Sequence, residues 1–148
     1  MTNPVSIIMV EDDEGHARLI ERNIRRSGVN NEIMPFTDGT SAVNYLFGKD
    51  GTGSAHKGQA LLVLLDLNLP DMTGIDVLKR IRENPATRGL PVVVLTSSQD
   101  REDIQSAYQF GANSFVSKSE TPELMFKRLR MLPVYWLELN QLPRDLEH

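Results

Sequence analysis

Several groups that could do chemistry stand directly after apolar stretches of this chain. They are the acids Glu11, Asp12, Asp13 and Asp66, the hydroxyl of Thr96 and the amine of Lys118. Asp66 is the plainest case, because it follows the five aliphatic residues LLVLL (61–65) at once. A carboxylate at the end of a buried run costs several kcal/mol if it is left unpaired. The pattern therefore predicts that these groups serve one another at a shared site.

The acids after the first strand could by themselves simply open a helix, but together with Asp66 and Lys118 at the same edge they indicate a metal site. Carboxylates held close together repel one another unless a cation lies among them. No histidine or cysteine follows these apolar stretches, so we expect oxygen ligands only. Mg²⁺ prefers one or two direct carboxylates and keeps part of its water, which makes it the cation that fits best. We predict Glu11, Asp12 and Asp66 as its ligands, whereas Asp13 is expected to cap the helix that follows.

The remaining groups would complement an anion that the sequence does not contain. Lys118 brings a fixed positive charge, and Thr96 brings a hydroxyl donor. A phosphoryl group on Asp66 would satisfy both, since Mg²⁺ and Lys118 would neutralise its oxygens while Thr96 donates a hydrogen bond. We therefore predict that Asp66 is a nucleophile that accepts a phosphoryl group.

Five strands and five helices are expected to position these residues. The strands are predicted at 5–10, 31–36, 61–66, 91–96 and 113–117, and the helices at 14–27, 37–47, 73–83, 100–110 and from 121 onward. Strands without polar alternation, separated by helices, are typical of a parallel sheet covered on both faces. Right-handed crossovers then give a doubly wound, flavodoxin-like α/β fold with strand order 2-1-3-4-5. Ligands of such folds bind beyond the carboxyl ends of the strands.

Length and composition set the outer limits. The chain has 148 residues, 40% of them hydrophobic, which suits one domain over 1–145 with residues 146–148 as an expression-tag remnant. Its 16 basic and 20 acidic residues argue against generic nucleic-acid binding, and the lack of cysteine excludes disulfides and thiolate metal sites. The first ten residues do not form a signal peptide, and no apolar run is long enough to cross a bilayer. A cytoplasmic protein that binds neither nucleic acid nor membrane is expected.

Four short motifs resemble one known family. VEDD (10–13), LLDLNLPDMTG (64–74), VVVLTS (92–97) and FVSK (115–118) are similar to the receiver domain of two-component response regulators, of the chemotaxis-regulator type. The resemblance implies that Asp66 accepts phosphate from a phosphohistidine of a sensor kinase. It also implies that the backbone carbonyl of Asn68 joins Glu11 and Asp12 as a Mg²⁺ ligand. Thr96 and Lys118 would be switch residues, and Phe115 would stand where the family has its rotating aromatic.

The chain also departs from the family pattern. Ser119 stands where the family usually has a proline in a cis peptide, the loop 48–58 is long, and the tail 130–143 extends beyond a minimal receiver. Three features are similar to those of small stand-alone regulators that partner phytochrome-type kinases: this loop, the segment LLDLNLP (64–70) and the aromatic tail. The apolar tail further suggests a homodimer formed through the 100–140 region and the tail, since Trp and Tyr are enriched at interfaces.

The resulting interpretation is a phosphoacceptor switch without an output domain of its own, expected to lose its phosphoryl group slowly to water. Three alternatives remain. A metal-dependent phosphatase would need an acid two residues after the nucleophile, where Asn68 stands; a flavin carrier would need a phosphate loop after the first strand. A scaffold that retains only the receiver fold is the third. His16 and His56 are interpreted as surface residues, and neither is assigned to a metal.

Overall fold

The computed structural model describes residues 5–26, 28–49, 51, 59–97, 100–118, 124 and 127. The strands are β1 (Ser6–Val10), β2 (Ile33–Phe36), β3 (Leu61–Leu65), β4 (Val92–Thr96) and β5 (Ser114–Ser117). The helices are α1 (Glu14–Arg26), α2 (Gly39–Phe47), α3 (Gly74–Glu83) and α4 (Arg101–Gln109). Of the fifth predicted helix, Leu124 and Lys127 are described and are helical. The rest of that helix and the tail 130–143 lie outside the described residues.

The five strands form one parallel sheet in the order β2-β1-β3-β4-β5. This confirms the predicted doubly wound fold and its strand order. β3 and β4 are buried along their whole length, which explains why LLVLL and VVVLT carry no polar alternation. Side chains of odd and even positions enter two separate apolar clusters, one on each face of the sheet. None of the described helices is long and apolar enough to cross a membrane.

Most predicted element boundaries are displaced by one or two residues, and capping explains the helix starts. Thr73 and Asp100 were expected to be the first residues of α3 and α4, but each lies just before its helix. Their side-chain oxygens accept the backbone N–H groups of Asp76 at 3.1 Å and Glu102 at 3.0 Å. A capping residue keeps an extended backbone while its side chain bonds the first turn. The predicted starts were therefore wrong by one residue in these two helices.

The loop between β3 and α3 is folded tightly against the end of β3. The N–H of Gly74 donates to the carbonyl of Leu67 at 2.8 Å, and Asn68 bridges to Thr73 in antiparallel fashion. A Cβ atom at Gly74 would lie 2.7 Å from the Cα of Leu67, closer than real Cβ atoms come to backbone. Glycine is required here because the loop doubles back onto the strand that carries Asp66.

Asp71, in the same loop, holds the start of α2. Its carboxylate accepts the N–H of Gly39 at 2.9 Å and the N–H of Thr40 at 2.8 Å, and the Thr40 hydroxyl also donates to it. These bonds keep the pKa of Asp71 well below its usual range, at about 2. The Thr40 hydroxyl makes the largest contribution. Asp71 thus joins the loop after β3 to the first turn of α2.

Arg82, in α3, bonds to the segments that precede β4 and β5. Its guanidinium donates to the carbonyl of Gly111 at 2.7 and 3.1 Å, to the carbonyl of Arg88 at 2.8 Å and to the side-chain oxygen of Asn113 at 3.0 Å. The same Asn113 oxygen accepts the N–H of Val92 at 2.8 Å. One side chain of α3 therefore ties together the segments that enter β4 and β5.

Candidate functional site

The sheet register brings Glu11 and Asp66 side by side. Val10 is paired with Leu65 at the carboxyl ends of β1 and β3, so the next residue of each chain segment is an acid. The N–H of Asp66 donates to the carbonyl of Val10 at 3.0 Å, and the N–H of Glu11 donates to the carbonyl of Phe36 at 2.9 Å. Both acids are thus fixed by extensions of the sheet ladder rather than by a free loop.

Lys118 is the counterion of this acid pair. Its Nζ donates to Asp66 Oδ2 at 3.0 Å and also to Glu11 Oε1. The side chain of Lys118 is 12% exposed, and those of Glu11 and Asp66 are 1% and 5% exposed. Breaking such a buried pair would leave charge without compensation, which is costly. No partner could be assigned to Lys118 from the sequence, whereas the structure supplies two carboxylates.

The second oxygen of Asp66 faces the loop after β3. Asp66 Oδ1 accepts the backbone N–H of Asn68 at 3.2 Å. Asn68 itself is exposed, and its pairing with Thr73 fixes its backbone near Asp66. The role of the Asn68 carbonyl as a metal ligand stays a prediction.

The acids meet the demands of a divalent cation. Glu11, Asp12 and Asp66 can each offer one carboxylate oxygen, and these three oxygens lie within 4.8 Å of one another. Glu11 Oε2 is buried and has no hydrogen-bond partner among the described residues. A buried oxygen without a partner is unfavourable unless something else occupies its lone pairs. The donor set, all carboxylate, suits a hard cation such as Mg²⁺.

One acid of the site, Glu11, has a pKa near neutral pH. Burial raises the pKa of Glu11, the neighbouring Asp66 carboxylate raises it further, Lys118 opposes both effects, and the net value is about 7. Burial alone would lower the pKa of the Lys118 ammonium. Its hydrogen bonds to Glu11 and Asp66 outweigh that effect and keep the pKa above its ordinary value. The ammonium therefore stays charged, while a bound cation would replace the proton that Glu11 otherwise takes up.

Thr96 lies on β4, the strand beside β3, and Phe115 lies on β5, one strand further along the sheet. Thr96 ends β4 fully buried, and its carbonyl accepts the N–H of Lys118 at 2.9 Å. Phe115 is a buried residue of β5 that packs in the core, and its N–H donates to the hydroxyl of Tyr108 at 3.1 Å. Both residues are where the sequence predicted them. Their switching role stays a prediction.

Two residues at the start of α1 differ in how well the sequence predicted them. Asp13 caps α1 as expected, since its Oδ1 accepts the N–H of His16 at 3.0 Å. His16 is exposed, as predicted, but its ring also contacts the site, a role that was not assigned to it from the sequence. Its Nδ1 lies 3.0 Å from Lys118 Nζ and 3.3 Å from Glu11 Oε1. The position of His16 in the first turn, three residues after the capping acid, was the available signal.

Other predicted features fall outside the described residues. They are His56 in the loop 48–58, Ser119 and its peptide bond, and the tail 130–143. The dimer hypothesis and the shape of the segment after Lys118 therefore stay predictions.

Comparison with known proteins places the chain among signalling proteins. It matches the response regulator receiver domain over residues 7–130. Response regulator Rcp1 of Synechocystis sp. is 33% identical over 140 residues, covering 95% of this chain and 94% of that protein. The structure of Rcp1 with bound Mn²⁺ superposes with a TM-score of 0.70 at 32% identity and covers 95% of this chain and 99% of that one.

Two further solved structures are similar. A response regulator receiver domain from Rhodospirillum rubrum is 56% identical, with a TM-score of 0.78 and coverage of 93% of this chain and 96% of that one. The phosphorylated cyanobacterial phytochrome response regulator RcpA is 33% identical, with a TM-score of 0.73 and coverage of 95% and 99%. With the match over 7–130 and the acids and lysine gathered at one edge of the sheet, the chain belongs to the response regulator receiver family.

Proposed function

We propose that this receiver accepts a phosphoryl group from a sensor histidine kinase on Asp66, in a reaction that depends on Mg²⁺. The observation that carries the proposal is the buried triad of Glu11, Asp66 and Lys118 at the carboxyl edge of the sheet. The unpartnered Oε2 of Glu11 supports a cation at the same place. An intact triad also argues against the scaffold alternative, which would not need these charges.

In the proposed transfer, a carboxylate oxygen of Asp66 attacks phosphorus, and the bond from phosphorus to the kinase histidine nitrogen breaks. The electron pair of that bond stays on the histidine nitrogen. Mg²⁺ held by Glu11, Asp12 and Asp66 would supply neutralising charge for the phosphoryl oxygens. Lys118 turns its ammonium from the Asp66 carboxylate to a phosphoryl oxygen, and Thr96 donates its hydroxyl to another. The protein's contribution is positioning and charge, which phosphoryl transfer mainly requires.

The switch would operate through β4 and β5. New negative charge on Asp66 attracts the Lys118 ammonium and the Thr96 hydroxyl, and the backbone of these two residues is already joined. The segments after both strands would follow, together with α4 and Phe115. A modification shifts such a two-state equilibrium only by its differential interaction with the two states. Lys118 and Thr96 are the residues where that difference arises.

The proposal extends to partners. Similarity to Rcp1 and to the phytochrome regulator RcpA supports a phytochrome-type histidine kinase as the phosphoryl donor. A homodimer formed through the 100–140 region and the tail, a cytoplasmic location and slow hydrolysis of the acyl phosphate belong to the same proposal. Sedimentation of the protein with and without phosphorylation tests the dimer. A monomer under both conditions at high concentration would contradict it.

Chemical phosphorylation tests the acceptor directly. The protein is incubated with phosphoramidate and Mg²⁺, and its intact mass is measured. Wild type should gain one phosphoryl group, and chelation of Mg²⁺ should prevent the gain. Asp66→Asn should gain none, while Asp76→Asn, an exposed aspartate of α3, should be labelled like wild type. Equal labelling of Asp66→Asn and wild type would refute the proposal.

A further inference from the structure

The three hydrogen-bond donors of the Lys118 ammonium have three acceptors at this site. These are Oδ2 of Asp66, Oε1 of Glu11 and Nδ1 of His16. The first two acceptors belong to acids that would bind a cation or a phosphoryl group in the proposed reaction. The third acceptor, Nδ1 of His16, belongs to a side chain that neither the cation nor the phosphoryl group would engage. His16 is therefore the one of these three partners that the ammonium would not have to surrender.

A hydrogen bond between Lys118 and His16 requires one assignment of the two ring nitrogens. An ammonium only donates, so Nδ1, at 3.0 Å from Lys118 Nζ, is the acceptor and the ring proton is on Nε2. The base of the side chain is held as well, because the His16 N–H donates to the capping carboxylate of Asp13 at 3.0 Å. His16 thus presents a fixed acceptor from the first turn of α1.

We propose that His16 is a positioning residue that holds the Lys118 ammonium in place for phosphoryl gain and loss at Asp66. The inference rests on the proposed function of Asp66 as the acceptor. During transfer the ammonium would leave the Asp66 carboxylate for a phosphoryl oxygen, while Glu11 would help to hold the cation. The bond to His16 then limits the motion of the long, flexible lysine side chain, which otherwise carries large rotamer freedom.

This arrangement has a kinetic consequence. A positive charge stabilises the transition state fully only when it is already in position as charge develops. Without the Nδ1 acceptor, Lys118 would have to be ordered in each reaction, so phosphoryl gain and hydrolysis should both slow. One such hydrogen bond corresponds to roughly a fivefold change in rate. If His16 merely covered the site, its removal would admit small molecules and both reactions would become faster.

Two substitutions of His16 separate these possibilities. His16→Leu keeps bulk but removes the acceptor, whereas in His16→Asn the side-chain oxygen stands close to where Nδ1 was. Arg18→Ala is the matched control, an exposed residue of the same helix. For each variant, intact mass gives the rate of labelling by phosphoramidate with Mg²⁺, and then the rate of loss after the donor is removed.

The proposal expects His16→Leu to slow both rates about fivefold, and His16→Asn and Arg18→Ala to stay near wild type. Unchanged or faster rates in His16→Leu would overturn it. Melting temperatures show whether a variant is folded. Nitrogen-15 NMR of the wild-type imidazole gives a test without mutation, because a proton on Nδ1 of His16 would also refute the contact. If wild type is not labelled at Asp66, the proposed function fails rather than the role of His16.

Discussion

The amine of Lys118 lies 3.0 Å from Oδ2 of Asp66, although 52 residues separate them in the chain. Each residue directly follows its own strand, β5 or β3, and β4 lies between these strands in the sheet. The long side chain of Lys118 crosses that distance to reach the acids. The receiver site is therefore assembled by strand topology before any cation or phosphoryl group arrives.

Removing the ammonium should expose how much the acids depend on it. We expect Lys118→Met to lower the free energy of unfolding by about 3 kcal/mol without Mg²⁺, because two buried carboxylates lose their counterion. Added Mg²⁺ should restore more stability to the variant than to wild type, since the cation no longer competes with an ammonium. Urea denaturation with chelator and with Mg²⁺ measures both effects. Lys49→Met, at an exposed position, is the control, and equal losses in the two variants would contradict the prediction.

Mg²⁺ binding should weaken in mild acid. The pKa of Glu11 is raised to about 7, chiefly by burial, so binding must displace a proton below that pH. Between pH 8 and pH 6 we expect the affinity to fall roughly tenfold, following the fraction of ionised Glu11. Titration calorimetry in buffers of different ionisation enthalpy measures the affinity and the protons released. A constant affinity with no proton release would show that Glu11 is ionised throughout.

The same raised pKa sets the sign of a stability change in the metal-free protein. Glu11 ionises at about 4.5 in the unfolded chain and at about 7 in the folded protein, so the folded state binds the extra proton between these values. Stability from this group is full below about pH 4.5 and is lost as the pH rises towards 7. Glu11→Gln should remove that slope. Denaturation midpoints across the range, measured with a chelator, test the difference between variant and wild type.

Gly74→Ala should disturb the site through the loop that follows β3. The added methyl would meet the backbone of Leu67 and Asp66, so the loop that carries Asn68 must shift. We expect a loss of about 2 kcal/mol or more in stability and a large drop in phosphoryl labelling. Gly89→Ala is the matched control, because a Cβ there meets nothing within 4 Å. Normal labelling of Gly74→Ala would mean that the loop adapts without moving the acceptor.

Arg82→Lys should destabilise the fold without touching the site. Lysine keeps the charge but cannot span the carbonyls of Gly111 and Arg88 together with the Asn113 side chain. Loss of these bonds should cost about 2 kcal/mol. Arg80→Lys, on the exposed side of α3, should cost little. Chemical denaturation compares the two, and phosphoryl labelling of folded Arg82→Lys should equal that of wild type.

The sequence predicted the sheet well because its strands have a recognisable apolar pattern. LLVLL (61–65) and VVVL (92–95) are apolar without interruption, as is typical of strands buried on both faces. Glu11, Asp66 and Lys118 could be grouped in advance for the same reason, since parallel strands deliver their carboxyl ends to one edge. Capping residues such as Thr73 were harder, because a cap has helix-like sequence spacing but an extended backbone.

Contacts made by helix and loop side chains were not predictable in this way. The reach of His16 to Lys118 depends on how α1 is oriented over the sheet, which periodicity does not give. Asp71 bonds to Gly39 and Thr40 across more than thirty residues, and no local pattern links them. Such contacts become visible only once the elements have been docked, because they depend on angles between elements rather than on spacing within one.

The lysine at the acid pair also bears on how the protein would respond to magnesium starvation. Zinc fingers unfold when their metal ion is removed, since no other interaction holds their ligands together. Here the amine of Lys118 already bonds both acids. On the proposed function, removal of Mg²⁺ would accordingly leave a folded receiver that gains no phosphoryl group until the ion is added back.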